Sequence, residues 1–122
     1  MVEKKELLVY PAVFHLAKEG GYSVEIPDLK GCVSEGDTLA EAIDMITESA
    51  CGWVLDELED GKKAPVPSTY EDISNLYKGE IVSLITLDTV SYVEKNDLSL
   101  SEILRNSLVK MFNAQYVWIT LS

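Results

Sequence analysis

Basic side chains are scarce: ten Lys and Arg stand against 21 Asp and Glu in 122 residues, a formal charge of −11. The deficit is uneven. Residues 1–78 hold 16 acids and 7 bases, residues 79–122 only 5 and 3. A surface of that sign repels nucleic-acid phosphates and draws basic proteins, and it also serves solubility. Cysteine is limited to Cys32 and Cys51. They lack metal-ligand spacing, and with no secretory pattern in the chain they are expected as free thiols, small apolar residues of the core. No stretch has the roughly 20 apolar residues of a membrane span. The start, Met1-Val2-Glu3-Lys4-Lys5-Glu6, is charged, so no secretory signal is expected and the expected location is the cytoplasm. Internal repeats and low-complexity segments are lacking. Gly20-Gly21 is no phosphate loop, because it has neither Gly-x-Gly-x-x-Gly nor Gly-Lys-Ser/Thr. The single histidine, His15, falls in an apolar run with no partner motif, which favours a packed or edge residue over a general base.

What is present reads as a small α+β layer, helix on sheet. Residues 7–16 are β-rich, and Pro11 within them argues for an edge position or a bulge. Glu19-Gly20-Gly21 is a hairpin turn, since paired glycines supply positive φ. Tyr22, Val24 and Ile26 alternate with Ser23 and Glu25 as a half-buried strand. Pro27-Asp28-Leu29-Lys30-Gly31 is a corner, and Cys32-Val33-Ser34-Glu35 returns as a third strand. Residues 38–59 form the clearest helix. Thr38 and Glu41 have capping-box spacing, while Leu39, Ala42, Ile43, Ile46, Ala50, Trp53, Val54 and Leu58 make one apolar stripe, Trp53 included as core. Asp60-Gly61 ends it. Ala64-Pro65-Val66-Pro67-Ser68 is extended, residues 70–78 read as a loop or short helical turn, and residues 80–87 supply a fourth strand that closes the sheet. Ser99 and Glu102 repeat the capping spacing before a second amphipathic helix through Leu100, Ile103, Leu104, Leu108, Met111 and Phe112. Its stripe suits oligomerisation. The β-rich run 116–121 is expected to be packed or paired.

Two kinds of chemistry have candidates. Asp28, Asp37, Glu41 and Asp44 are oxygen donors of the sort that hold Mg²⁺ for phosphodiester cleavage, but Asp37 and Glu41 equally suit a helix N-terminus and Asp28 a turn. Lys95, Arg105 and Lys110 form a thin basic set for DNA, offset by Glu94, Asp97 and Glu102.

Four motifs in order resemble the HicB family of antitoxins from toxin–antitoxin pairs. They are Tyr10-Pro11-Ala12-Val13-Phe14, Gly20-Gly21-Tyr22-Ser23-Val24 through Ile26-Pro27-Asp28-Leu29-x-Gly31-Cys32, Glu35-Gly36-Asp37-Thr38-x-x-Glu41-Ala42, and Pro65-x-Pro67-Ser68. The resemblance spans about residues 8–68. It implies a partial ribonuclease-H-like β-β-β-α-β layer without catalytic function, no cofactor and no metal. It also implies a small basic HicA-like mRNA interferase as partner, homodimers or larger homo-oligomers, and in many members operator DNA. Residues 1–78 would then be the toxin-binding core, and residues 79–122 the closing strand with a remnant ribbon-helix-helix-like oligomerisation segment. The family's basic ribbon strand, with its Thr-x-Thr-Ile-Pro pattern, is missing between residues 92 and 98, and no evident element is left to enter a major groove. Charge and expected exposure put the toxin contact on the corner residues Pro27, Asp28, Leu29, Lys30 and Cys32 and on the carboxylates Glu35, Asp37 and Glu41. The alternatives are a DNA-binding autorepressor using the basic set, and a metal-dependent nuclease using Asp28, Asp37 and Glu41.

Overall fold

The computed structural model describes residues 8–96. Strands β1 (Leu8–Leu16), β2 (Tyr22–Glu25), β3 (Val33–Gly36) and β4 (Ile81–Leu87) form one antiparallel sheet in the order β3-β2-β1-β4. Helix α1 (Leu39–Glu59) lies on one face. Two short helices, α2 (Tyr70–Leu76) and α3 (Thr89–Lys95), flank β4 in sequence.

The period-2 pattern of the strands meets the helical stripe in a single core. Tyr10, Ala12, Phe14, Val24, Ile85 and Leu87 pack against Ala42, Ile46, Ala50, Val54 and Leu58 of α1. Cys32 and Cys51 join this cluster as free thiols, and burial pushes both up to about 11, so neither is a thiolate near neutrality. Trp53 is only partly buried against the cluster. Its Nε1 donates to the Lys30 carbonyl at 3.0 Å, tying α1 to the corner.

Pro11 sits in a strand with neighbours on both sides, which the edge expectation did not foresee. The registers explain how it is tolerated. β4 runs alongside Leu8 to Phe14, whereas β2 pairs only with Val13 to Leu16. At Pro11 the β2 side is therefore unpaired, and no ladder bond is lost there.

The segment read as a loop or short helical turn at 70–78 is helical, as α2. Thr69 caps it, accepting from Asp72 N at 3.0 Å, Ile73 is its buried residue, and the helix packs against β4 and β1. Helix α3 was not expected. Asp88 caps it by accepting from Ser91 N at 3.0 Å. The second amphipathic helix, with Leu100, Ile103, Leu104, Leu108, Met111 and Phe112, and the run 116–121 lie outside the described residues, as do Arg105 and Lys110.

Candidate functional site

The β2–β3 hairpin determines which candidate residues meet. Tyr22 faces Gly36 and Glu25 faces Val33 in its register. The corner at 27–32 therefore closes one end of the hairpin, and Asp37, Thr38 and the start of α1 lie at the other, beside Gly20-Gly21. Four residues of strand hold the two ends roughly 13 Å apart. The corner and the helix-start carboxylates, expected as one contact surface, are two separate surfaces.

At the corner, Ile26 N donates to the Cys32 carbonyl at 3.2 Å and Cys32 N to the Leu29 carbonyl at 2.9 Å. The turn points Leu29 (0% exposed) and Cys32 (4%) into the core, so neither side chain offers a partner any surface. Lys30 is exposed and Pro27 half-buried. Asp28 is engaged inside the molecule: its two oxygens accept from Ser68 N at 2.7 Å and Ser68 Oγ at 2.6 Å. Three residues earlier, the Pro65 carbonyl accepts from the buried Tyr10 hydroxyl at 2.6 Å. Burial, with Asp28's charge added, pushes that hydroxyl up to about 12, so it stays a donor. The proline stretch is thus a strap bolted at two points across the end of the sheet.

The other end holds an acidic hollow of about 540 Å³. Glu19, Glu35, Asp37 and Glu41 line it together with Tyr22 and Met45, and no Lys, Arg or His contributes. All four carboxylate residues are exposed. Glu41 is partly committed. Its amide donates to Thr38 Oγ1 at 3.1 Å, and its carboxylate accepts from Asp37 N at 2.7 Å, one residue earlier than a capping box would have it. The carboxylates of Glu35 and Asp37 have no hydrogen-bond or ion-pair partner among the described residues. Glu19, Tyr22 and Met45 line this hollow but were not among the contact residues expected from the sequence. Their signals were there: Glu19 adjoins the glycine turn, and Met45 follows Glu41 by one helical turn.

The nuclease reading needs Asp28, Asp37 and Glu41 to converge, and they do not. Asp28 belongs to the corner and is bound to Ser68. Among the described residues no three His, Cys, Asp or Glu side chains are placed to hold a metal ion.

His15 lies on the outer sheet face, in the row with Ser23 and Glu35. Its Nε2 is 2.8 Å from Glu25 Oε2 and its Nδ1 is 3.3 Å from Glu80 Oε2, with the Tyr77 ring edge-on at 6.3 Å. The hydrogen bond to Glu25 raises the imidazole above its usual 6.5; burial opposes this and Glu80 reinforces it. A raised folded value means that this clamp stabilises fully below about 6.5 and fades as pH climbs through the folded value. Histidine and carboxylates are about a third exposed (33%, 33% and 39%), so screening holds the gain to roughly 0.2–1 kcal/mol. Denaturant titrations at about pH 6 and pH 9 should show the wild type losing that amount and His15→Gln losing none. Equal slopes for the two would remove the clamp.

Lys95 is exposed and lies 2.9 Å from Glu48 Oε2, so it is already ion-paired. No helix among the described residues is long and apolar enough to cross a membrane.

Comparison with known proteins follows this geometry. An uncharacterized 14.9 kDa protein of Haemophilus phage HP1 is 32% identical over 90 residues, 72% of this chain and 67% of that protein. Antitoxin HicB 1 of Photorhabdus laumondii is 34% identical over 58 residues, 48% of this chain and 37% of that antitoxin, so the chain spans well under half of its length. The crystal structure of the N-terminal domain of Burkholderia pseudomallei antitoxin HicB superposes with a TM-score of 0.57 at 28% identity, covering 66% of this chain and 99% of that domain. It shares the small antiparallel sheet with its helices. The family model for the HicB-like antitoxin of bacterial toxin–antitoxin systems matches residues 10–116. On that match, which takes in the sheet, α1 and the strap, this chain belongs to the HicB-like antitoxins, a family of antitoxins and not of enzymes.

Proposed function

We propose that this chain is an antitoxin that binds a small basic HicA-like mRNA interferase and neutralises it by covering the toxin's RNA-binding and catalytic surface. Family membership supports the role. The observation that carries the choice of surface is the hollow at the start of α1, where four carboxylate residues face solvent with no basic residue among them. A Lys or Arg from a partner would lay its apolar stem along Tyr22 and Met45 and set its charged head among Glu35, Asp37 and Glu19. Occlusion of that kind needs no catalytic group. The chain works in the cytoplasm as a homodimer or larger homo-oligomer, and its sheet with α1 is a reduced ribonuclease-H-like layer. The operator-binding alternative draws no support from Lys95, whose charge is answered by Glu48.

The test is capture of the tagged chain from its native cytoplasm at low and high salt, with mass identification of what accompanies it. A small basic protein should be recovered at low salt and lost as salt rises, and the chain should suppress its ribonuclease activity. The double variant Glu35→Gln, Asp37→Asn spares the Glu41 cap. It should bind that protein about tenfold more weakly at low salt, with a flatter salt dependence. Unchanged low-salt affinity would move the contact elsewhere.

A further inference from the structure

The segment that returns the chain from α1 to β4 is tied down at three points. Tyr10 holds its start through the Pro65 carbonyl, and Asp28 holds Ser68. Thr69 then caps α2 directly, so the strap and the helix are continuous. The third tie is at the far end. Tyr77 closes α2 as its C-cap, and Glu80 reaches His15 Nδ1 at 3.3 Å just before β4 begins. On its other side His15 meets β2, with Nε2 2.8 Å from Glu25 Oε2. One imidazole thus stands between two carboxylates. Only the imidazolium has an N–H donor at both nitrogens. The neutral ring has a single donor, and its second nitrogen turns a lone pair to whatever lies opposite.

We propose that His15 is a proton-operated latch on the α2–β4 turn: the imidazolium holds both Glu25 and Glu80, and the neutral ring keeps Glu25 and releases Glu80. Distance decides which arm is lost. The neutral ring leaves its one N–H on the shorter contact, to Glu25, and so sets the Nδ1 lone pair against the Glu80 carboxylate. The groups facing the ring are acidic or neutral. β2 presents Glu25 and Ser23, and the turn presents Glu80 with the Tyr77 ring. β3 presents Glu35 beyond Ser23 in the same row, roughly 10 Å away by two strand spacings. Among the described residues no other cation pairs with Glu80, so nothing takes it over when the ring lets go. The other two ties are indifferent to this proton. The Tyr10 hydroxyl, pushed up to about 12, stays a donor, and Asp28 is held by an amide and a hydroxyl. Release is therefore local to the far end, where α2 is seven residues long and has one buried residue, Ile73. The hydrogen bond to Glu25 raises the imidazole above its usual 6.5, with burial opposing and Glu80 adding to it, so the latch opens above that pH. The device concerns the fold and is independent of the toxin reading.

Hydrogen exchange of the full chain at about pH 6 and about pH 9, expressed as protection relative to the unfolded chain, tests the latch. Tyr77 N donates to the Ile73 carbonyl at 3.0 Å and Glu80 N to the Tyr77 carbonyl at 3.1 Å, so these two amides report the turn. Both should lose about two- to fivefold in protection at the higher pH, the range that an ion pair about a third exposed can supply. Glu80→Gln, at an exposed position, offers the neutral ring a donor as well as an acceptor and should remove the pH difference at both amides. An equal fall in the wild type and in Glu80→Gln would overturn the proposal. The second readout needs no substitution. At about pH 9 the imidazole nitrogen shifts of the wild type should place the remaining proton on Nε2, with Nδ1 bare. A proton on Nδ1 at that pH would overturn the latch, because Glu80 would then still be held.

Discussion

Gly36→Ala should cost more than about 3 kcal/mol, beyond the usual range for an added methyl, because the new atom meets backbone rather than side chain. A Cβ at Gly36 would stand 2.4 Å from Ala42 N, 2.8 Å from Ala42 Cα and 2.9 Å from the Glu41 carbonyl carbon. Those atoms form the first turn of α1, whose opening bond runs from Ala42 N to the Thr38 carbonyl at 2.9 Å. Ala42 is fully buried, so the turn cannot move without unpacking the core beneath it. In thermal melts the penalty corresponds to a midpoint roughly 12 °C lower or more for a domain of this size. Gly52→Ala is the control. Its Cβ would approach only the Tyr92 hydroxyl, at 3.4 Å, and helix propensity should offset the contact, leaving stability within about 1 kcal/mol. If Gly36→Ala were as mild as Gly52→Ala, β3 would not be locked against α1, and the shape of the acidic hollow would not depend on that junction.

The same junction marks the boundary of what the sequence alone reveals. Elements stated by short-range patterns could be read: the Gly20-Gly21 turn, the Thr38 cap, the stripe of α1, its end at Asp60-Gly61 and the closing strand β4. Each rests on residues within a few positions of one another. Helix α3 was missed and α2 was read only as a loop or short helical turn, although Thr69-x-x-Asp72 and Asp88-x-x-Ser91 are cap signals of the same form. They are seven residues long, too short for a 3.6-residue period to show, and their helicity comes from packing. Candidate site residues were chosen by charge and by nearness in sequence. Asp28 and Asp37 are nine positions apart, yet a hairpin strand sends them to opposite ends. Leu29 and Cys32 were included because a corner is ordinarily a surface feature, but the turn bonds at this one rotate both inward. Pro11 misled for a related reason. Its tolerance depends on where β2 stops pairing, which is a property of register and not of composition.

Asp28 shows why that distinction matters for experiment, and it is the second position where a large effect is expected. Asp28→Ala should destabilise the fold by about 2 kcal/mol, since hydrogen bonds to a charged acceptor are worth roughly 1.5–3 kcal/mol and two bonds are removed from a half-buried site. Asp28→Asn keeps one acceptor oxygen and should lose less. Tyr10→Phe removes the other bolt of the strap, the bond to the Pro65 carbonyl. The two bolts hold one segment three residues apart, so the double variant should fall short of the sum of the singles by about 1 kcal/mol, as coupled positions do. Strict additivity in urea titrations would mean that the segment at 65–68 does not act as a unit. The consequence for binding is specific. If the proposed toxin contact is the hollow, Asp28→Ala should leave the salt dependence of capture unchanged, because Asp28 is held by Ser68 at the corner and lines no part of the hollow. Loss of Glu35 and Asp37 should instead leave stability nearly as it was and flatten the salt dependence. A drop in capture at Asp28 is therefore a report on the strap. Only the slope against salt separates a carboxylate that touches the partner from one that holds the surface in shape.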